Sequence, residues 1–151
     1  MEAAGYVAGK KQPITLWSVG DGHFMRADAA AYFLAMRQAA QDAGIALVVN
    51  SSFRSMEKQT ALYSKYQADL ADFVRKSRPT KPTPVARPGY SNHQSGVAVD
   101  INRAPGDNLA TVEPDSPIDK WLAENAVCFG FKQTVAREPW HWDWISSLVG
   151  P

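Results

Sequence analysis

The sequence predicts an α+β fold, in which helices pack on one face of a small, mostly antiparallel sheet and a polar site lies on the other. Two short stretches, residues 97–102 and 140–144, alternate apolar and polar side chains, as half-buried strands do. Two longer stretches, 27–43 and 56–77, place apolar residues at helical spacing. A chain of 151 residues is long enough for one domain that contains both kinds of element.

The amino-terminal half is predicted to contain an arm, two helices and a buried strand. Residues 1–14 are expected to form a loosely ordered arm. The first helix, 27–43, is rich in alanine and is followed by a glycine that can cap it. The apolar run 45–50 is short enough to be a buried strand. Ser55 can cap the second helix, 56–77.

The carboxy-terminal half begins with four prolines between residues 79 and 88, which predict an extended connection at the rim of a cleft. After the strand at 97–102, residues 103–113 are polar and are predicted to form a surface loop. A Ser-Pro pair opens a third helix over residues 116–129. Residues 131–135 are predicted as a strand, after which the chain turns into the stretch 140–144.

Composition gives little support for several classes of partner. The net charge is +1, so there is no electrostatic argument for nucleic acid or an anionic membrane, and no apolar run reaches the ~20 residues of a membrane span. We expect a monomer. The first eleven residues include Glu2 and do not resemble a secretory signal, so synthesis in the cytoplasm is expected. A single cysteine, Cys128, excludes a disulfide within the chain and is expected to be buried.

Two short motifs bring together residues that can bind a metal. His93 and Asp100 are seven residues apart, and the alternation along 97–102 places Asp100 on the face opposite the valines. Near the end of the chain Glu138 precedes His141 by three residues, and His141 faces away from the neighbouring tryptophans. Neutral imidazole and carboxylate groups are suitable ligands for zinc.

Taken singly, each of these residues also has an ordinary structural interpretation. A lone buried histidine is more often hydrogen-bonded than metal-bound, and an aspartate on a short strand is often a turn residue. His23 matches neither motif and is expected to be a non-ligand. The tryptophans at 140, 142 and 144 are expected to belong mainly to the core, although they could form a platform for a sugar.

In combination, the motifs resemble those of the VanY-type zinc D-alanyl-D-alanine peptidases, whose fold group also includes lysostaphin and the hedgehog amino-terminal domain. The pattern Ser-x-His-x-x-Gly-x-Ala-x-Asp is complete in Ser91, His93, Gly96, Ala98 and Asp100. The pattern Glu-x-Trp-His is complete in Glu138, Trp140 and His141. A third feature, an arginine with a glutamine five residues later, is matched by Arg54 and Gln59. The resemblance spans about residues 15 to 145.

This resemblance implies one catalytic zinc ion held by His93, Asp100 and His141. Three protein ligands leave one tetrahedral position open, as in catalytic rather than structural zinc sites. Glu138 would then be the general acid–base, and Arg54 the cation that stabilises the oxyanion. The predicted substrate contacts are Ser91, Gln59 and Trp140.

The function implied is hydrolysis of peptide bonds in bacterial peptidoglycan stem peptides. D-Ala-D-Ala carboxypeptidase cleavage is preferred, because Lys81, Arg87 and Ser91 could hold a free terminal carboxylate. One alternative is an L-alanyl-D-glutamate endopeptidase that acts as a phage lysis enzyme, and another is a hedgehog-like zinc-containing binding module. Glu138 and Arg54 argue against a pure binder. We expect action at the cell wall or in the periplasm, after release or as a domain of an exported protein.

Overall fold

The computed structural model describes residues 1–102 and 115–150, so the surface loop predicted at 103–113 lies outside the described residues. The predicted α+β class is confirmed: two antiparallel sheets pack with α-helices. The strands are β1 (Glu2–Val7), β2 (Lys10–Gly20), β3 (His23–Arg26), β4 (Val48–Ser51), β5 (Ala98–Asn102), β6 (Phe131–Lys132) and β7 (His141–Trp144). The helices are α1 (Ala27–Asp42), α2 (Met56–Lys76) and α3 (Pro117–Asn125).

The first sheet has the order β1-β2-β3 and differs from the loosely ordered arm expected for residues 1–14. Ala8 and Gly9 turn the chain between β1 and β2, both with positive φ. Gly5 leaves room for the side chain of Ile14, because a Cβ at Gly5 would lie 2.8 Å from Ile14 Cγ2. Ile14 and Leu16 on β2 are buried. This inward packing gives the amino-terminal residues a fixed position.

The amino-terminal hairpin also contacts the loop that carries the first motif. The backbone N–H of Tyr6 donates to the carbonyl of Gln94 over 2.9 Å, and that of Gly9 donates to the carbonyl of Gly89 over 2.9 Å. The Gln94 side chain is fully buried and accepts from the Gly89 N–H. The hairpin therefore supports the turn in front of β5 that contains His93.

The second sheet has the order β4-β5-β7-β6, and its register brings the two motifs together. Asp100 on β5 pairs with His141 on β7 and with Ser51 on β4. The strands predicted at 97–102 and 140–144 are confirmed within one or two residues. The strand predicted at 131–135 is shorter, since β6 ends at Lys132.

The core is formed by both sheets together with α1 and α3, and Val19 of β2 and Met25 of β3 belong to it. It includes Phe33 and Met36 of α1, Val99 and Ile101 of β5, Leu122 of α3, and Trp142 and Trp144 of β7. Burial of Trp142 and Trp144 agrees with their interpretation as core residues. The exposed thiol of Cys128 shows that the expectation of a buried cysteine was wrong. Cys128 lies on a short 3-10 turn after α3, at the margin of the core.

Helix α2 begins as predicted, because the Ser55 hydroxyl accepts from the N–H of Lys58. Its apolar residues are half-buried or, like Val74, exposed, and Gln59 is its one fully buried residue. The helix therefore lies at the margin of the domain, next to the cleft described below. None of the described helices combines the length and the apolar character needed to cross a membrane.

Candidate active site

Two histidines and one aspartate converge on one point at the floor of a cleft. One ligand atom each from His93, Asp100 and His141 lies within 4.8 Å of the other two, and all three residues are buried. Asp100 Oδ1 is 3.3 Å from His93 Nε2 and 3.1 Å from His141 Nδ1. The pairing of β5 with β7 sets the second of these contacts. Two imidazoles and one carboxylate form a donor set that fits zinc.

The ring of His93 is oriented by a hydrogen bond on the side away from Asp100. His93 Nδ1 is 2.8 Å from the backbone carbonyl of Ser52, which can only accept, so Nδ1 carries the proton and Nε2 presents its lone pair to the cluster. Gly96 lets the following turn pass close to the first sheet. Its φ is +78°, and a Cβ there would lie 3.0 Å from the backbone nitrogen of Arg26.

Electrostatics show how strongly this cluster attracts positive charge. Burial raises the pKa of Asp100, but hydrogen bonds from His141 and His93 outweigh that effect and hold the pKa well below its usual range. Burial lowers the pKa of His141, but its hydrogen bonds to Asp100 and Asp143 raise it to about 10. Without metal, a proton on His141 therefore balances the buried carboxylates at neutral pH.

Metal-free protein is expected to lose stability as the pH rises from 7 to 9. The folded-state pKa of His141, about 10, exceeds its ordinary value of 6.5. The folded state therefore binds the proton more tightly, and the stabilisation that is complete below pH 6.5 decreases as the pH rises toward 10. Thermal unfolding of chelator-treated protein measures this effect. A His141→Asn variant should show a weaker dependence, whereas an unchanged melting temperature in the wild type would contradict the elevated pKa.

Arg54 lies beside the cluster and is held by three side chains. Its Nη2 donates to Asp100 Oδ2 over 3.3 Å, its Nε donates to Ser51 Oγ over 3.1 Å, and its Nη1 donates to Gln59 Oε1 over 3.4 Å. Gln59 Nε2 donates to the carbonyl of Ala86 over 2.8 Å. Gln59, predicted as a substrate contact, thus directs both polar atoms to protein partners and joins Arg54 to the proline-rich segment.

Glu138 lies next to the cluster without joining it. Its Oε2 is 3.8 Å from His141 Nδ1, and its side chain is 24% exposed, on the wall of the cleft. The backbone N–H of His141 donates to the carbonyl of Glu138 over 3.0 Å, which fixes the turn between them. The carboxylate can therefore reach a substrate or a water molecule in the cleft.

The cleft above the cluster has a volume of about 650 Å³. Its lining includes the proline-rich segment from Lys81 to Ala86, which forms a wall of the cleft, and also Arg137 and Trp140. Ser91 also lines the cleft, and its hydroxyl accepts from the N–H of His93. Ser91 and Trp140, both predicted as substrate contacts, therefore line the cleft.

Cations occur at the cleft in a different arrangement from the one expected. Lys81 lines the cleft, whereas the guanidinium of Arg87 lies over the ring of Tyr90, 4.6 Å from its centroid. Arg137, which the sequence interpretation did not use, also lines the cleft. The sequence could have indicated Arg137 as a cleft residue, because it immediately precedes Glu138 of the second motif. His23 contacts Ser52 and lies outside the cluster, as expected.

Asp143 is a second residue that the sequence interpretation undervalued. It is buried, and its Oδ1 is 3.1 Å from His141 Nε2, on the far side of the ring from Asp100. Its other oxygen accepts from Asn92 and Thr134. The period of two along β7 already placed Asp143 on the same face as His141, which was the signal for this contact.

Comparison with known proteins identifies relatives of this chain. Residues 22–147 match the VanY family, described as D-alanyl-D-alanine carboxypeptidase. A D-alanyl-D-alanine carboxypeptidase of Enterococcus faecalis is 32% identical over 127 residues, which cover 76% of this chain and 46% of that protein. This chain therefore spans about half the length of that curated relative.

Solved structures agree with this match. The chain is similar to the E175A mutant of the vancomycin resistance D,D-pentapeptidase VanY in complex with Zn(II), with a TM-score of 0.67 and 27% identity. That match covers 92% of this chain and 82% of the other. It is also similar to VanYB in complex with D-alanine-D-alanine, with a TM-score of 0.65, 27% identity, and coverage of 87% and 77%.

Proposed function

The chain belongs to the VanY family of D-alanyl-D-alanine carboxypeptidases, and on this premise we propose that it is a zinc peptidase that removes the terminal D-Ala of peptidoglycan stem peptides. The observation that carries the proposal is the buried His93–Asp100–His141 cluster with Glu138 beside it on a cleft wall. A binding module would have no use for a proton acceptor at that point.

The proposed metal ligands are His93 Nε2, Asp100 Oδ1 and His141 Nδ1, which face one another at the floor of the cleft. When bound there, zinc supplies Lewis-acid chemistry, polarising the scissile carbonyl and making water more acidic. The Ser52 carbonyl keeps the imidazole of His93 oriented toward this point. The burial of all three ligands limits competition from bulk water.

Glu138 and Arg54 have complementary roles in this proposal. Glu138 is accessible from the cleft, so its carboxylate can accept a proton from the attacking water and return it to the leaving amine. The side chain of Arg54 is 17% exposed at the same cleft, and its charge can stabilise the oxyanion of the tetrahedral intermediate. Its bond to Asp100 keeps the guanidinium beside the reacting atoms.

Recognition of the substrate's free carboxylate is assigned to the cations of the cleft. Lys81 in the proline-rich segment and Arg137 beside Glu138 both line the cleft, so a carboxylate that enters the cleft meets positive charge. An L-alanyl-D-glutamate endopeptidase would instead accept a chain that continues beyond the cut. The compartment in which this chain acts and its oligomeric state stay predictions from the sequence.

Cleavage of a stem pentapeptide that ends in D-Ala-D-Ala, compared with its carboxy-terminal amide, tests the proposal. The acid should release D-Ala, and the amide should lose most of the rate because its end is uncharged. Lys81→Gln should raise KM for the acid by about tenfold, the effect of losing one charge-assisted hydrogen bond. Arg87→Gln removes the same charge from a residue that packs on Tyr90, so KM should change little.

Other products would redirect the assignment. Equal rates on acid and amide, or a cut between L-Ala and D-Glu, would contradict a carboxypeptidase and favour the endopeptidase. Zinc binding with no hydrolysis of either peptide would favour the binding module. Mass spectrometry of the digested peptides, with and without chelator, distinguishes these results.

A further inference from the structure

One buried carboxylate is not used in the mechanism above. Asp143 is 3% exposed, and its contacts come from three separate segments: His141 on its own strand, Asn92 in the loop before β5, and Thr134 after β6. A buried carboxylate is stable only when hydrogen-bonded donors compensate for its lost hydration. These three contacts determine which of its oxygens is available to His141.

The contacts are divided between the two oxygens of Asp143. Asn92 Nδ2 donates to Oδ2 over 2.9 Å, and the hydroxyl of Thr134 donates to the same oxygen. Oδ1 is 3.1 Å from His141 Nε2. The backbone pairing of β7 with β5 and β6 holds the carboxylate in this place, because Asp143 pairs with both Ala98 and Lys132.

The chemistry of these groups fixes the proton on the imidazole. An ionised carboxylate can only accept a hydrogen bond, and a neutral imidazole carries a proton on one nitrogen and a lone pair on the other. With Oδ1 facing Nε2, the neutral ring keeps its proton on Nε2. The lone pair then lies on Nδ1, which is 3.1 Å from Asp100 Oδ1 at the centre of the cluster.

We propose that Asp143 is a positioning residue that, held by Asn92 and Thr134, locks His141 in the tautomer whose Nδ1 ligates the metal. The proposal rests on the proposed metal site but not on which peptide bond is cut. The Asp143 carboxylate also makes the imidazole a stronger electron-pair donor toward the metal, as carboxylate partners of metal-bound histidines do. Since Asn92 immediately precedes His93, the same carboxylate connects the loop of one histidine with the strand of the other.

Zinc affinity, measured by competition with a chromophoric chelator, tests the energetic part of the proposal. Asp143→Ala should weaken zinc binding by ~10- to 100-fold, the range for loss of such a partner. Asp143→Asn keeps the shape of the side chain and can keep an acceptor oxygen, but it lacks the charge. Its loss of zinc affinity should therefore be smaller than that of Asp143→Ala. Asp72→Asn is the matched control, since Asp72 is ion-paired on α2 away from the cleft, and its affinity should equal that of the wild type.

The tautomer is read directly from long-range ¹H–¹⁵N spectra of zinc-loaded wild-type protein labelled at histidine. His141 should show a protonated Nε2 and an unprotonated Nδ1, a readout that requires no variant to fold. A proton on Nδ1 would overturn the proposal, as would wild-type zinc affinity in both Asp143 variants. Both measurements are independent of turnover, so a failure to cleave stem peptides would reject the proposed function while leaving this assignment in place.

Discussion

Replacing His93, Asp100 or His141 with alanine is expected to abolish zinc binding and hydrolysis together. Each residue contributes one of three converging ligand atoms, and no fourth His, Cys, Asp or Glu joins the group within residues 1–102 and 115–150. Loss of one ligand leaves only two protein donors, fewer than a catalytic zinc site uses. Zinc content by mass spectrometry and turnover on a stem pentapeptide, measured on the same preparations, should fall to the level of chelator-treated enzyme.

The three ligand variants should differ in folding, which allows an internal check. Asp100 contacts both histidines and Arg54, so Asp100→Ala leaves a largely buried guanidinium without its partner and should also destabilise the fold. His23→Ala is the matched control, because His23 lies outside the cluster and should keep full zinc content. Stoichiometric zinc in one of the ligand variants would remove that residue from the ligand set.

Glu138→Gln is expected to keep the fold and the zinc while turnover falls by ~10²–10⁴, the effect of losing a general acid–base group. Glu138 is 24% exposed at the cleft and lies 3.8 Å from His141 Nδ1, so the substitution removes only one long contact at the edge of the cluster. The amide has nearly the same shape but cannot accept the proton. Turnover, zinc content and thermal unfolding of the same sample separate a chemical defect from a structural one.

Glu124→Gln is a suitable control for that experiment, since Glu124 is exposed on α3. Its turnover should match the wild type. Wild-type turnover in Glu138→Gln would require another proton acceptor. Asp143 is poorly placed for that role, because its Oδ1 faces His141 Nε2, on the side of the ring away from Asp100, and its Oδ2 accepts from Asn92 and Thr134.

The sequence predicted the cluster well because its local pattern is simple. A period of two along β5 and β7 places Asp100 and His141 on one face of the sheet. The motif glycine marks a turn that L residues with side chains rarely adopt, and Gly96 has that conformation. Where a single strand period and a single turn determine the direction of a side chain, the local sequence is sufficient.

Features that depend on tertiary packing were not predictable in this way. The hairpin of β1 and β2 turns at Ala8-Gly9, and Ala8 has a positive φ that an alanine does not signal. Gln59, predicted as a substrate contact, lines the cleft, but the sequence did not indicate that the carbonyl of Ala86, 27 residues away, accepts from its amide. The exposure of Cys128 and of the apolar side chains of α2 likewise depends on which other elements cover them in the folded chain. Long-range partners of this kind leave no periodic trace in the chain.

The proline-rich wall of the cleft affects binding through conformational entropy. Residues 79–88 form neither helix nor strand, yet four of them are prolines, whose rings fix φ before any substrate arrives. The hydrogen bond from Gln59 to Ala86 limits the segment further. The segment therefore has few backbone conformations to lose when a ligand binds. The entropic cost of ordering it offsets little of the binding free energy. Most of that free energy is then available to distinguish one ligand of the cleft from another.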